Sequence, residues 1–401
     1  MKKLLAVLCV WSCLVGTGSA EVFRLGVVGT DTSHVPAFVN LFNDPNAEGA
    51  YQDFEITAAF RGGMPDNPSS WERRNKYADE ISQKGVKIYD SLDEMIAAVD
   101  GVLIESVDGR PHLEFARPVI LAKKPLFLDK PMAGDLVDAV AIFQLAKENG
   151  VPVFSASSLR YSAAMQEIRN ASPYGQTHGV DAWSPCHLEE HHPDFYWYGI
   201  HGVETLFTMM GPGCESVSRT TSESYDLAVG LWKDGRIGTF RGIRAGAASY
   251  GGCVFGAKGI QLAGKYDGYK PLCDQICVFF ATKKSPIADE ETLEILAFMS
   301  AADESKKRHG AHVTLASVLE KARTAKVTYF HITLTDAGET LLDGEKVSEA
   351  QLLQKLTLPA DAENRYYRVI LKKEKNVPME KVLEACGKLG DATLVKFEEN
   401  R

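Results

Sequence analysis

The chain has 401 residues, 45% of them hydrophobic and 24% charged, with a net charge of −9. That length exceeds one ordinary core and predicts two or three domains, and the composition is that of a soluble globular chain, neither disordered nor fibrous. The acidic balance argues against nucleic acid and anionic membrane as partners.

The first twenty residues read as a targeting segment. Lys2-Lys3 supplies positive charge, Leu4 to Val15 an apolar run, and Gly18-Ser19-Ala20 a small-residue cleavage site. The pattern predicts a secretory signal peptide over residues 1–20, cleaved near Ala20, with a membrane anchor as the alternative. The expected product is exported or periplasmic, with no integral membrane segment after signal removal. Cleavage takes away two lysines and no acid, moving the charge from −9 to −11. Cys186, Cys214, Cys253, Cys273, Cys277 and Cys386 remain, and their pairing is left open.

From Glu21 onward apolar strands alternate with helical segments. Strands are expected at Phe23 to Gly29, Phe54 to Phe60, Val86 to Tyr89, Gly101 to Glu105, Pro125 to Leu128 and Val151 to Phe154. Helices are expected at Ser91 to Val99, Pro111 to Ala122 and Asp135 to Asn149. Continuous apolar strands imply burial on both faces, hence an α/β domain with a doubly wound parallel sheet over 21–157. After Ser158 the rhythm changes. Val217 to Thr221, Tyr225 to Trp232 and Gly238 to Ile243 read as antiparallel strands, with Asp234-Gly235 as a hairpin turn. Val203, Leu206, Phe207 and Met210 mark a helix that Gly211-Pro212-Gly213 stops, and a second helix is expected at Glu291 to Lys307. This unit is bounded at 158–322. Residues 323–401 carry 13 basic and 13 acidic side chains, neutral beside an acidic remainder, and read as a small α+β domain turning at Asp343-Gly344.

Two residues stand out as carriers of chemistry. Asp129-Lys130-Pro131 follows a buried strand at the edge where open α/β sheets bind ligands. A lysine there can hydrogen-bond a substrate hydroxyl and relay its proton once its pKa is lowered. His201 opens the apolar helix, where the helix dipole depresses a histidine pKa and suits it to act as base or neutral donor.

With the strand-glycine start Leu25 to Gly29, with Leu159-Arg160-Tyr161 and with Gly199-Ile200-His201, these residues resemble the glucose-fructose oxidoreductase, inositol dehydrogenase and MocA family over about 22–322. The resemblance implies a Rossmann domain followed by an α/β domain with an open, mainly antiparallel sheet. It implies NAD or NADP as cofactor and hydride transfer at a hydroxyl of a sugar, cyclitol or similar small polyhydroxylated substrate. It gives Lys130 and His201 the catalytic roles, and leaves His112, Arg160 and Tyr198 to shape the substrate cleft. The fingerprint departs from G-x-G-x-x-G: Gly29-Thr30-Asp31-Thr32-Ser33-His34 keeps only Gly29. Thr30, Thr32 and Ser33 are the expected phosphate donors, Asp129 and Lys130 the reactive-end contacts, and Arg61 replaces the usual ribose-binding acid, as a 2′-phosphate contact or a surface residue. Trp197 stands where that family often has an aspartate, with Asp194 or Tyr198 as substitutes.

The last unit resembles the periplasmic domain of the ExbD/TolR transport proteins through Ile332-Thr333-Leu334, Asp343 to Val347, Tyr367 to Leu371 and Val377-Pro378-Met379. A docking or dimerisation role, for a protein partner or a homo-oligomer, is the expectation. His187-Leu188-Glu189-Glu190-His191 matches the zinc pattern H-x-x-E-H, but Pro185 and Pro193 leave little room for the helix it needs. No metal ligand is therefore assigned. Against the oxidoreductase reading stand a non-catalytic sugar- or nucleotide-binding scaffold and, further off, a zinc hydrolase.

Overall fold

A computed structural model describes residues 22–171, 173–263, 266–359 and 362–400; the predicted signal peptide lies outside the described residues. Six strands form the first sheet: β1 (Phe23–Val28), β2 (Phe54–Phe60), β3 (Lys87–Tyr89), β4 (Gly101–Ile104), β5 (Leu126–Leu128) and β6 (Val153–Ser155). All pairings are parallel, in the order β3-β2-β1-β4-β5-β6. The winding reverses between β1 and β4, which opens a crevice at their carboxyl ends.

Helices His112–Leu121 and Leu136–Asn149 bury one face of this sheet. Ser91 and Asp135, expected as first helical residues, are instead caps whose side chains accept the amides of Glu94 and Asp138. The opposite face is covered by helix His34–Phe42 and, unexpectedly, by Lys270–Thr282, which returns from the second unit. Leu272, Ile276, Phe279 and Phe280 share one core with Leu25, Val27, Phe38, Phe127 and Phe154. Cys273 and Cys277 lie on this helix, buried and unpaired. The second unit is thus not self-contained.

Its sheet holds β7 (Thr177–Pro185), β8 (Cys214–Thr221), β9 (Tyr225–Trp232), β10 (Ile237–Ile243), β11 (Gly251–Gly256), β12 (Gly259–Ala263) and β13 (Val313–Thr314), ordered β12-β11-β7-β10-β9-β8-β13. Only β7 and β10 pair in parallel, so the sheet is mainly antiparallel, with the Asp234-Gly235 turn between β9 and β10. Helices Ile200–Met210 and Asp289–Lys307 cover its inner face. Gly202 permits that contact: a Cβ there would lie 2.2 Å from a ring carbon of Phe240.

The third sheet runs β16 (Glu345–Val347), β15 (Thr340–Leu342), β14 (Lys326–Leu334), β17 (Arg365–Lys373), β18 (Ala392–Glu399). Helices Glu349–Leu356 and Met379–Cys386 pack Leu352, Leu356 and Val382 against Ile332, Leu371 and Leu394. The Asp343-Gly344 turn carries positive φ at both residues, as a tight hairpin with the strands' twist requires. This domain is tied to the first by Arg368, which reaches Asp135 and Asp138, and by the edge contact of Phe397 with Trp71.

Candidate active site

The crevice begins at Gly29. Its amide donates to Phe60 and its φ is +89°, and a Cβ there would fall 2.5 Å from the Ser106 backbone. The tight turn needs glycine. The rest of the fingerprint is rebuilt. Asp31 does not face the crevice: its buried carboxylate folds beneath the loop and accepts from Ser70 Oγ, Ser106 Oγ and the Val107 amide. Burial pushes its pKa up to about 6, against the hydrogen bond from Ser70. Its oxygens are thereby engaged beneath the loop and not presented to a pyrophosphate. Thr30 is also turned inward, its hydroxyl donating to the Arg74 carbonyl at 2.7 Å, and it cannot reach a ligand. Thr32 and Ser33 do border the cleft.

That cleft is a cavity of about 270 Å³ between the first two units. Lys130, Tyr198 and His201 line it, as do Trp197, Tyr250, Tyr266, Tyr269, His34 and Arg73. Lys130 and His201 are each 9% exposed. Lys130 Nζ sits 5.6 Å from the Tyr198 ring centroid, and the His201 ring packs edge-on against Tyr250 at 5.4 Å. Burial lowers the Lys130 pKa, partly opposed by Asp129. Burial, then the Lys130 charge, drives the His201 pKa well below the usual histidine value, so its ring is neutral at physiological pH. His201 Nδ1 meets Ser157 Oγ at 2.8 Å, which leaves Nε2 for a ligand.

Four other expected site residues, His112, Arg160, Asp129 and Arg61, do not line this cavity. His112 is fully buried and places its ring nitrogens against the carbonyls of Met132 and Ser106, joining two loops beneath the crevice. Arg160 is clamped by Glu204 and Glu291 at 2.6 and 2.8 Å, and its work is to hold helices Ile200–Met210 and Asp289–Lys307 together. Asp129 is buried and faces His34 Nδ1 at 2.6 Å; burial works against its charge, but His34 holds its pKa below the usual range. Arg61 is remote from Lys130. It faces a separate cavity of about 490 Å³ at the ends of β2 and β3, closed by Lys396 to Asn400 of the third domain, and lies 3.6 Å from Asp90. Asp194 pairs with Arg219 and Lys306 and does not replace the missing aspartate.

The histidine-rich segment is not helical, so its H-x-x-E-H spacing fails to align two ligands. His192 is instead wedged between Asp108 and Glu189, while His191 lies beside Asp66 and Glu190. Residues that sequence reasoning missed are Tyr250, Tyr266, Tyr269 and Arg73, which reach the cavity only through tertiary packing.

Residues 23–157 match the model of the oxidoreductase family with an NAD-binding Rossmann fold. That stretch, about a third of the chain, is similar to the Rossmann part of the Gfo/Idh/MocA oxidoreductases. Solved structures share the fold at low identity. A probable dehydrogenase from Thermotoga maritima is 19% identical, with a TM-score of 0.61, covering 74% of this chain and 100% of its own. The scyllo-inositol dehydrogenase of Lactobacillus casei, with bound NAD(H) and scyllo-inositol, is 14% identical at a TM-score of 0.60, covering 74% and 100%. An oxidoreductase from Agrobacterium radiobacter, in complex with NAD+, L-tartaric acid and magnesium, is 14% identical at a TM-score of 0.59, covering 74% and 99%. No curated protein matches the sequence.

The dinucleotide that this Rossmann match implies would find suitable residues at both ends of the crevice. The Gly29 turn keeps the close approach of β1 to the Ser106 loop, and Thr32 and Ser33 at the start of helix His34–Phe42 would hold the phosphates. Lys130 and His201 would flank the reactive ring.

Proposed function

We propose that this chain is an NAD(P)-dependent oxidoreductase acting on a secondary hydroxyl of a sugar, cyclitol or similar polyol, outside the cytoplasm. The observation that carries the reading is the convergence of Lys130 and a neutral His201 on one aromatic-walled cavity. When bound, the nicotinamide supplies the hydride acceptor for alcohol oxidation, or the donor for the reverse. Lys130 hydrogen-bonds the reacting oxygen and takes its proton as the carbonyl forms. His201 Nε2 orients the same hydroxyl, its ring fixed by Ser157. Tyr198, Tyr250 and Tyr269 exclude water and offer flat walls and hydroxyls suited to a polyol. The charged start of residues 1–20 and its apolar run support export. The outer face of the second sheet exposes Leu231, Ile237, Ile260 and Leu262, which supports self-association through it.

The first test is the mature protein purified natively and assayed for released NAD(H) or NADP(H), followed by calorimetry with both. Lys130→Ala and His201→Ala are expected to lower kcat/KM for the best polyol by at least about a hundredfold while dinucleotide affinity stays within about threefold. Absence of dinucleotide binding, or variants with unchanged turnover, would instead favour a non-catalytic binding protein on the same fold.

A further inference from the structure

Three carboxyl ends of the first sheet deliver ligating groups to one point. His34 follows the turn after β1, Glu105 directly follows β4, and Asp129 directly follows β5. β1, β4 and β5 are consecutive neighbours in the sheet, so the parallel register forces the three to converge. One ligand atom from each lies within 4.8 Å of the others. His34 Nδ1 is 2.6 Å from Asp129 Oδ2 and 4.0 Å from Glu105 Oε2. Metal bonds of about 2.0–2.2 Å place neighbouring ligand atoms roughly 3–4 Å apart, so small adjustments would close the set.

The second observation is Glu105 itself. It is fully buried, and neither carboxylate oxygen has a hydrogen-bond partner. Buried carboxylates without partners are rare, because desolvating one costs several kcal/mol. His34 Nδ1 is close to Asp129 but not aligned to donate to it. A group that accepts electron pairs from all three would satisfy both anomalies.

We propose that His34, Glu105 and Asp129 form a divalent transition-metal site at the floor of the crevice. One imidazole and two carboxylates suit zinc or manganese. Three protein ligands leave coordination positions open toward the cleft, as in sites that meet a ligand rather than purely structural ones. Tyr269, tilted against His34 at 4.6 Å between ring centroids, and Phe38, stacked on it at 6.0 Å, hold the imidazole plane. The position answers to the third glycine of the usual fingerprint, so the metal site would explain why this chain carries histidine there.

The test uses mature protein purified without a metal-affinity tag, and it reads metal rather than activity, so its failure is distinct from failure of the oxidoreductase reading. Elemental analysis is expected to find about one zinc or manganese per chain, or the chelator-treated protein to bind one by calorimetry. Glu105→Gln and His34→Ala are each expected to weaken that affinity more than about tenfold. His191→Ala, outside this cluster, is expected to leave it unchanged. Cobalt provides a readout independent of variant folding: Co2+ added to the wild-type apo-protein should give visible d–d absorption that zinc abolishes. The proposal is overturned if zinc and manganese neither co-purify nor bind, or if binding survives Glu105→Gln unchanged.

Discussion

At the scale of single residues, burial decides the chemistry. His192 has a fully buried side chain, with Nε2 3.1 Å from Asp108 and Nδ1 2.5 Å from Glu189. Burial opposes its charge, but the two carboxylates win and raise its pKa from 6.5 to about 9. The sign follows. A raised histidine pKa stabilises the fold fully below the unfolded value, and the stabilisation is lost as pH rises through about 9. His192→Asn is expected to cost on the order of 2 kcal/mol at about pH 6. Thermal midpoints of wild type and variant, measured from about pH 6 to about pH 10, should converge toward the alkaline end; a constant gap would refute the ion-pair account. This histidine, next to the H-x-x-E-H run, thereby pins its loop to Asp108, which Arg110 also pairs.

At the scale of elements, the approach of helix Ile200–Met210 to the second sheet sets where His201 stands. Gly202 controls it. Alanine at this position would add helix propensity worth up to about 1 kcal/mol. Its methyl, however, would meet the buried Phe240 ring at 2.2 Å, and overpacking of that kind costs about 1–3 kcal/mol. Overpacking wins. Gly202→Ala is expected to lower the denaturant midpoint and to reduce turnover by displacing His201, with dinucleotide affinity unchanged. Stability at or above wild type would show that the helix can slide without loss. Local pattern made the parallel strands legible, because Val102 to Ile104 and Leu126 to Leu128 are apolar throughout and buried on both faces. It also marked Lys130 and His201, through strand-end position and a helix start. It did not mark β7, whose Thr177–Pro185 run mixes polar and apolar residues. Nor did it assign Lys270–Thr282 to the first sheet, or gather Tyr250, Tyr266 and Tyr269, since those contacts join segments far apart in the chain. His112 and Arg160 misled for the complementary reason: a polar residue beside a site motif is as useful for holding loops and helices as for meeting ligand.

For the whole molecule, the question is what fastens the third domain to the Rossmann unit. Arg368 on β17 is 3% exposed and ion-pairs with Asp135 and Asp138 at the start of helix Leu136–Asn149. Burial, then Asp135, lifts the Asp138 pKa to about 7 despite the guanidinium. The pair of acids is thus tolerated only because Arg368 is present. Removing one partner of such a buried cluster costs about 3–5 kcal/mol, more than the cluster itself contributes against apolar replacements. Arg368→Met is therefore expected to loosen the domain contact, seen as faster limited proteolysis near residues 323–326 and an earlier unfolding transition. Adding Asp135→Asn and Asp138→Asn should recover most of the loss, because no buried charge is then left unpaired. Since the end of β18 closes the cavity that Arg61 faces, the single variant should also speed amide hydrogen exchange over Lys396 to Asn400, and the triple variant slow it again. If proteolysis and exchange both stay at wild-type levels in Arg368→Met, the domain is held by the Trp71–Phe397 contact and its neighbours instead, and the acids at 135 and 138 serve only their own helix.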